Sequence, residues 1–228
     1  MKELEKIYGI SINNANYFKI ALTHPSFTQE KDLPYQNNYE RMEFLGDAVL
    51  KLAISQILFE KYPEYKEGEL SKIRSIVVSD ATLFKIANSI GLPQFIILAK
   101  HEDKVGLRKL ESVCACAFEA VLGAFYLDGK LNEITKFIKK EFEPYITEVD
   151  KHFEEYNAKA ILQEYTQSVD KHIPVYKLTD EQGPAHNKTF TVSVFYNEKE
   201  IAQGQGKSKK EAEQNAAHLA CKNLGVIK

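Results

Sequence analysis

The chain has 228 residues, of which 44% are hydrophobic and 27% are charged, with 11 glycines and 7 prolines. This composition excludes a disordered or low-complexity protein and predicts one large globular domain or two ordinary ones. No stretch reaches the ~18 consecutive apolar residues that a membrane span requires, and the first residues lack the apolar core of a secretory signal. We therefore expect a soluble, cytoplasmic protein with no membrane partner.

The net charge of −2 is unevenly divided along the chain. Residues 1–150 carry 19 basic and 22 acidic side chains, a net charge of −3, whereas residues 159–228 carry 10 and 8, a net charge of +2. Neither value by itself identifies a polyanion-binding protein, so the positions of the charges matter more than their sum. The cysteines number three, and Cys114 and Cys116 point away from each other on a predicted helix, which excludes a disulfide framework.

The first part of the chain has the pattern of an all-α domain, which we place at residues 1–149. Apolar residues recur at helical spacing in one segment after another, and proline or glycine follows several of these segments. The predicted helical segments are residues 20–22, 44–59, 70–78, 81–90, 113–127 and 134–142. The polar and charged segment 150–157 that follows is the predicted linker.

The second part of the chain, residues 158–228, has the pattern of a small α+β domain. A helical pattern from 158 to about 169 is followed by three alternating segments and then by an alanine-rich helical pattern. The alternating segments are residues 174–178, 189–196 and 199–204, and the last helix is predicted at 208–224. The predicted order of elements is therefore α-β-β-β-α.

Three acids of the first domain share one helix face, because Glu40, Glu43 and Asp47 are spaced at i, i+3 and i+7. A solvated acidic face explains Glu40 equally well. Asp47, however, lies within an apolar run, where an unpaired buried charge costs several kcal/mol, so a cation is expected to face it. Gly46 costs a helix ~1 kcal/mol relative to alanine, and we expect another backbone or a ligand to approach closely there.

A further isolated acid is Glu119, the only charged residue between Ser112 and Leu127. One explanation is a buried ion pair with a distant arginine or lysine. A site for a hard cation such as Mg²⁺ fits better, because two apolar helices each contribute an isolated acid and Mg²⁺ prefers oxygen ligands. Glu67 is either a fourth acid of this site or an ordinary acid in the first turn of its helix.

The run from Asn38 to Leu50, NYERMEFLGDAVL, resembles the signature segment of bacterial ribonuclease III. Further segments that carry the resemblance are residues 21–24, 67–71 with Arg74, 118–120 and 123–128. The resemblance covers essentially the whole chain. It implies a helical endonuclease domain that dimerises and hydrolyses double-stranded RNA with Mg²⁺, for which Mn²⁺ can substitute, and with no organic cofactor. It also implies products with 5′-phosphate and 3′-hydroxyl ends, as in the maturation of rRNA and mRNA.

The resemblance implies a role for each acid named above. Asp47 and Glu119 are the expected catalytic residues, and both are expected to bind the metal ion together with Glu43. The expected auxiliary acids near the scissile phosphate are Glu40 and Glu67.

One position departs from the family pattern, since Cys116 stands where the family has an aspartate three residues before the last glutamate. Cys116 shares a helix face with Glu119, so the missing carboxylate would belong to the metal site. A thiol has little affinity for Mg²⁺, and we expect weaker metal binding or a water molecule at this position. An alternative function is therefore a catalytically impaired dimer that only binds double-stranded RNA. A hydrolase of small phosphorylated molecules is disfavoured by the second domain.

The second domain resembles a double-stranded RNA-binding domain in its α-β-β-β-α order and in residues 183–186 and 206–213. Lys207, Lys209 and Lys210 cluster at a predicted helix N-terminus, whose free N–H groups favour phosphate. A solvated charge run is the ordinary explanation for such a sequence, but its position at a helix start favours RNA binding.

Further RNA contacts are predicted on the first helix of this domain and on a loop. Gln163 and Gln167 lie one turn apart, where they can reach 2′-hydroxyl groups in the shallow minor groove of A-form RNA. In the family's mode of binding, His186 would reach the next minor groove. Contacts of these kinds recognise the shape of the duplex and not its sequence.

Overall fold

The computed structural model describes residues 1–184 and 187–227. The chain forms two compact units, Met1–Glu148 and Val149–Lys228, which we call the helical unit and the C-terminal unit. Within the described residues, no helix is both long enough and apolar enough to cross a membrane.

The helical unit confirms the predicted all-α domain. Its principal helices are α1 (Lys2–Tyr8), α2 (Ala15–Ala21), α3 (Pro25–Glu30), α4 (Glu40–Lys61), α5 (Glu67–Val77), α6 (Asp80–Ser89), α7 (Lys100–Lys104), α8 (Glu111–Leu127) and α9 (Leu131–Lys151). Short 3₁₀ turns join several of them.

Helix α8 lies at the centre of this unit. Most of its side chains from Val113 to Phe125 are buried, and α2, α4 and α6 pack against it. Phe125 contacts the rings of Tyr8 and Phe18, with centroids 5.0 and 4.6 Å apart. Each large apolar side chain buried in this way contributes about 1.5–3 kcal/mol. The backbone of Glu119 is therefore held within the most firmly packed helix of the unit.

The close approach predicted at Gly46 is confirmed. A Cβ atom on Gly46 would lie 1.7 Å from the backbone oxygen of Glu119, and one on Gly123 would lie 2.4 Å from the backbone oxygen of Met42. Any side chain at either glycine would force α4 and α8 apart. This glycine contact brings the acidic face of α4 next to Glu119.

The predicted linker, residues 150–157, is helical at almost every position. Helix α9 continues to Lys151, and α10 (Phe153–Asp170) begins after His152. The predicted start of this helix at residue 158 is therefore wrong. The segment contains neither proline nor glycine, and its polar residues are compatible with a solvated helix as well as with a linker, so composition alone could not separate the two.

The C-terminal unit confirms the predicted α-β-β-β-α order. Strands β1 (Val175–Gln182), β2 (Thr189–Tyr196) and β3 (Lys199–Gly206) form an antiparallel sheet in the order β1-β2-β3, and α11 (Lys209–Asn223) follows. Helix α11 packs against β3 and α10 around an alanine-rich core. A Cβ atom on Gly204 would lie 2.2 Å from the backbone nitrogen of Ala216, so glycine is required where β3 meets α11.

Candidate active site

An acidic cleft of about 620 Å³ opens on the helical unit where α4, α6 and α8 meet. Four of the sequence-predicted acids lie close to one another there, since Glu40, Glu43 and Asp47 on α4 and Glu119 on α8 all line it. The remaining lining residues are Tyr35, Phe44, Lys51, Val78 and Asp80. The cleft therefore contains five carboxylates and one lysine.

Asp47 faces a cation, as predicted. The Nζ atom of Lys51 lies 2.7 Å from its carboxylate, one helical turn along α4. The expectation that Asp47 enters the core is wrong, because its side chain is 37% exposed and that of Lys51 is 51% exposed. The apolar run around Asp47 misled that expectation, since its neighbour Phe44 is itself exposed. Ion pairs this exposed contribute little to stability.

Glu119 is half-buried and carries the largest pKa shift among the acids of the cleft. Burial raises its pKa to about 8, with a further contribution from the charges of Asp47, Glu43 and Asp80, which Lys51 only partly offsets. No described lysine or arginine forms an ion pair with Glu119, so the proposed buried ion pair is not found in the described part of the chain. Burial and the neighbouring acids disfavour the ionised form of this carboxyl group, and a bound cation would favour it.

Cys116 is half-buried one turn before Glu119 on α8 and lies beside Glu43. Burial, together with the carboxylate of Glu43, raises the thiol pKa to about 12, so the thiol is protonated near neutral pH. Burial also raises the pKa of Glu43, and hydrogen bonding from Cys116 works in the opposite direction. Position 116 therefore belongs to the acidic site, where it supplies a neutral hydrogen-bond donor.

The two predicted auxiliary acids lie in different places. Glu40 is the first residue of α4, is exposed, and hydrogen-bonds Tyr35 at the mouth of the cleft. Glu67 starts α5 as predicted, but it does not line the cleft. Its carboxylate instead accepts a hydrogen bond of 2.7 Å from Ser71. The structure of one chain therefore does not bring Glu67 together with the other acids.

Asp80, the first residue of α6, was missed by the sequence analysis although it lines the same cleft. In the sequence it resembles an ordinary acid in the first turn of a helix. No spacing connects it with α4 or α8, because only tertiary packing brings α6 to the cleft. Its one detectable signal is its place after the apolar residues Val77 and Val78, with only Ser79 between them.

The donor atoms of the cleft suit a hard divalent cation, because its acids offer carboxylate oxygens and its one sulfur is a protonated thiol. In the described parts of the chain, no three histidine, cysteine, aspartate or glutamate side chains are grouped tightly enough to enclose an ion. The carboxylates thus line an open cleft and form no closed cage. Mg²⁺ commonly binds to a few carboxylates while keeping several water molecules, so the residues present fit it.

The predicted RNA contacts of the C-terminal unit lie on exposed surfaces. Gln163 and Gln167 are both exposed on α10. His186 lies outside the described residues.

The three lysines surround the start of α11. Ser208 caps the helix by accepting a hydrogen bond from the backbone of Glu211. Lys207 donates to the side chain of Asn187 at 3.1 Å, and the ammonium of Lys209 lies 6.0 Å from the ring centroid of Phe190. Lys207, Lys209 and Lys210 are all exposed, which leaves their charges accessible to a polyanion.

Comparison with known proteins identifies both units. A family profile described as Ribonuclease-III-like matches residues 14–146, and one described as Double-stranded RNA binding motif matches residues 158–224. Ribonuclease 3 from Lactococcus lactis is 42% identical over 226 residues, which are 99% of this chain and 97% of the relative. Ribonuclease 3 from Syntrophomonas wolfei is 46% identical over 198 residues, 87% of this chain and 84% of the relative.

Solved structures agree with these sequence matches. The crystal structure of the nuclease domain of ribonuclease III from Campylobacter jejuni matches with a TM-score of 0.57 and 33% identity, over 64% of this chain and 95% of that one. A second structure of that domain, which concerns flexibility in a region involved in dimer formation, matches with a TM-score of 0.56 and 34% identity, over 62% of this chain and 98% of that one.

An acidic cleft on a helical nuclease domain, followed by a module for duplex RNA, defines an endoribonuclease of double-stranded RNA. The sequence identity with Ribonuclease 3 extends over most of the chain, so this class assignment rests on sequence as well as on fold. The chain belongs to the ribonuclease III family.

Proposed function

We propose that the acidic cleft hydrolyses phosphodiester bonds of double-stranded RNA in a reaction that requires Mg²⁺, and leaves 5′-phosphate and 3′-hydroxyl ends. The observation that carries this proposal is the carboxyl group of Glu119, which is half-buried among other acids without a described cationic partner. Such an arrangement costs stability in the free protein, and a divalent cation would remove that cost.

Each side chain of the cleft has a separate part in this proposal. Glu43, Asp47 and Glu119 would hold the ion through their carboxylates. Bound Mg²⁺ supplies charge stabilisation for the phosphate and for the attacking water. Lys51 holds the carboxylate of Asp47 in position, and the thiol of Cys116 keeps its proton and donates to Glu43. Glu40 remains at the mouth of the cleft, where it can act on water near the phosphate.

Binding of the duplex is assigned to the C-terminal unit. Gln163 and Gln167 on α10 are proposed to contact 2′-hydroxyl groups, and Lys207, Lys209 and Lys210 to contact phosphates. The unit thus delivers a duplex of any sequence to the cleft. The contact of His186 with the next minor groove stays a prediction from the family resemblance.

A homodimer is proposed because α4 exposes large apolar side chains. Phe44 is 81%, Phe59 73% and Leu52 61% exposed. Met42 and Val49, which also lie on α4, are buried within the chain. Exposed side chains of this size commonly mark an interface, and the Campylobacter nuclease domain is described with a region involved in dimer formation.

Light scattering of the purified chain tests the dimer. We expect twice the mass of one chain, and a shift toward the single-chain mass in Phe44→Asp. The matched control is Val105→Asp, because Val105 is 65% exposed but follows α7 and is not part of α4. A single-chain mass for the wild type at micromolar concentration contradicts the proposal.

A labelled RNA duplex tests the activity. We expect the wild type to cleave the duplex with Mg²⁺ and not with EDTA, and to leave single-stranded RNA and a DNA duplex of the same sequence intact. A second candidate function is a duplex-binding dimer without catalysis, which is favoured because Cys116 lies in the acidic site where the family has an aspartate. Binding of the duplex without cleavage in either Mg²⁺ or Mn²⁺ would establish that candidate. A cytoplasmic location is proposed with either function, since free thiols such as Cys114 and Cys221 are typical of a reducing compartment.

A further inference from the structure

Asp80 is the one acid of the cleft that has no role in the proposed function. It is exposed at the first position of α6 and lines the cleft together with Glu43, Asp47 and Glu119. Its carboxylate forms no hydrogen bond or ion pair with any residue that the structure describes. Asp80 is also not the N-cap of its helix, because Ser79 occupies that position, although the Ser79 side chain makes no capping hydrogen bond.

Asp80 lies near the predicted metal ligands on both neighbouring helices. Helix α6 packs directly on α8, the helix of Cys116 and Glu119. The negative charge of Asp80 contributes to the raised pKa of Glu43, of Cys116 and of Glu119. Its field therefore covers both walls of the cleft, the one formed by α4 and the one formed by α8.

Position 116 and Asp80 differ in the donor atom that each offers to the cleft. On α8, Cys116 lies beside Glu43 but offers sulfur, which is a poor ligand for Mg²⁺. On α6, Asp80 supplies a hard oxygen donor and one negative charge on the same cleft. The number of carboxylates available to a cation is thus kept, although one of them comes from a different helix.

We propose, resting on the proposed function, that Asp80 is a metal-binding residue of this cleft and provides from α6 the carboxylate that position 116 lacks. It acts on the ion directly or through one of the water molecules that Mg²⁺ retains. The competing explanation is an acid that only favours the start of a helix through the helix dipole.

Metal affinity separates these two explanations, because a helix-start acid has no influence on it. The probe is Mn²⁺, titrated calorimetrically into the full chain, with Mg²⁺ affinity obtained by competition. Asp80→Asn is expected to weaken Mn²⁺ binding about tenfold, the lower end of what changes around metal sites commonly produce. The matched control is Glu111→Gln, since Glu111 is also an exposed acid at the first position of its helix but does not line the cleft.

Two further variants sharpen the test. Adding Cys116→Asp to Asp80→Asn is expected to recover the wild-type Mn²⁺ affinity, because one carboxylate then replaces the other. Asp80→Glu keeps the charge at position 80 and is expected to bind Mn²⁺ more tightly than Asp80→Asn. Thermal unfolding without metal shows that each variant is folded before it is titrated.

The outcomes distinguish this inference from the proposed function. Equal Mn²⁺ affinity in the wild type and Asp80→Asn overturns the inference alone, provided that the wild type binds Mn²⁺ and cleaves the duplex. The same holds if Glu111→Gln weakens binding as much as Asp80→Asn, or if Asp80→Glu binds no better than Asp80→Asn. A wild type that neither binds Mn²⁺ nor cleaves duplex RNA overturns the proposed function, and the inference with it.

Discussion

Glu119 in the cleft and two acids of the C-terminal unit have opposite electrostatic environments. In the helical unit, burial and neighbouring acids raise the pKa of Glu119 to about 8, and no described cation pairs with it. In the C-terminal unit, a hydrogen bond of 2.6 Å from Asn197 is the main reason that the pKa of Asp170 falls to about 2. Hydrogen bonding from Lys188 likewise lowers the pKa of Glu181. Glu119 in the cleft is left uncompensated, whereas these two acids of the C-terminal unit are satisfied by hydrogen bonds.

This electrostatic difference corresponds to the proposed division of functions, with catalysis in the cleft and RNA binding in the C-terminal unit. A cluster of uncompensated acids costs folding stability, and such perturbed groups are typical of sites that perform chemistry. The lysines at the start of α11 carry no such cost, because they are exposed and their charges remain hydrated until RNA arrives. Changes in the cleft should therefore alter catalysis and stability together, whereas changes at the start of α11 should alter binding alone.

The largest expected effect follows from neutralising Glu119. Glu119→Gln should lower the rate of duplex cleavage by more than about 100-fold, because changes around a metal ligand alone commonly cost 10–100-fold. Affinity for the duplex, measured by gel shift in EDTA, should stay at the wild-type value, since the C-terminal unit is untouched. Cleavage by Glu119→Gln at the wild-type rate would remove Glu119 from the site. The matched control is Glu133→Gln, an exposed acid in the first turn of α9 that should cleave normally.

The reciprocal experiment removes the lysine cluster. Replacing Lys207, Lys209 and Lys210 by alanine should weaken duplex binding about 10- to 150-fold, at about 0.5–1 kcal/mol for each of the three lysines. The dependence of binding on salt should become shallower by about one unit of log–log slope for each such lysine replaced. Cleavage at saturating RNA should continue. The control is Lys222→Ala at the opposite end of α11, and equal affinity of the triple variant and the wild type at low salt would place the RNA elsewhere.

A smaller effect is expected at the one position where the cleft departs from the family pattern. Cys116→Asp should lower the Mg²⁺ concentration required for half-maximal cleavage several-fold, because it adds a charged oxygen donor next to Glu43 and Glu119. Mn²⁺ should help the wild type more than the variant, since it tolerates softer ligation. An unchanged Mg²⁺ dependence would show that position 116 does not influence the metal ion.

Local spacing predicted much of the fold and the part of the site that lies on single helices. The i, i+3, i+7 pattern placed Glu40, Glu43 and Asp47 on one face, and the cost of glycine in a helix predicted the close approach at Gly46. Alternation predicted the three strands of the C-terminal unit. The start of α10 was missed because a solvated helix and a polar linker have similar compositions.

The rest of the site depends on tertiary packing, which no spacing in one chain reveals. Asp80 reaches the cleft only because α6 packs on α8. Glu67 was expected beside the other acids, yet α5 holds it away from the cleft in one chain. The burial of Asp47 was misjudged for the same reason, since an apolar run such as that around Phe44 predicts a core or an interface equally well.

The smallest expected effect is on stability, and it connects the comparison of the two units with pH. Glu119 has an ordinary pKa of 4.5 that the fold raises to about 8. Between these two values the folded state binds more protons than the unfolded state, so the free energy of unfolding contributed by Glu119 decreases as pH rises. In Glu119→Gln that decrease is absent. The variant should therefore gain little over the wild type near pH 4.5 and most above pH 8.

Thermal unfolding of the metal-free proteins measures this gain. Each kcal/mol shifts the unfolding temperature of a chain of this size by about 2–4 °C, so a difference of several degrees that grows with pH is expected. Glu133→Gln should show no such growth, because Glu133 is exposed on α9. Saturating Mg²⁺ should reverse the order at high pH, since the ion stabilises only the protein that retains its ligand. A constant difference between Glu119→Gln and the wild type at every pH would mean that Glu119 is an ordinary surface acid, and the contrast between the two units would then lose its strongest case.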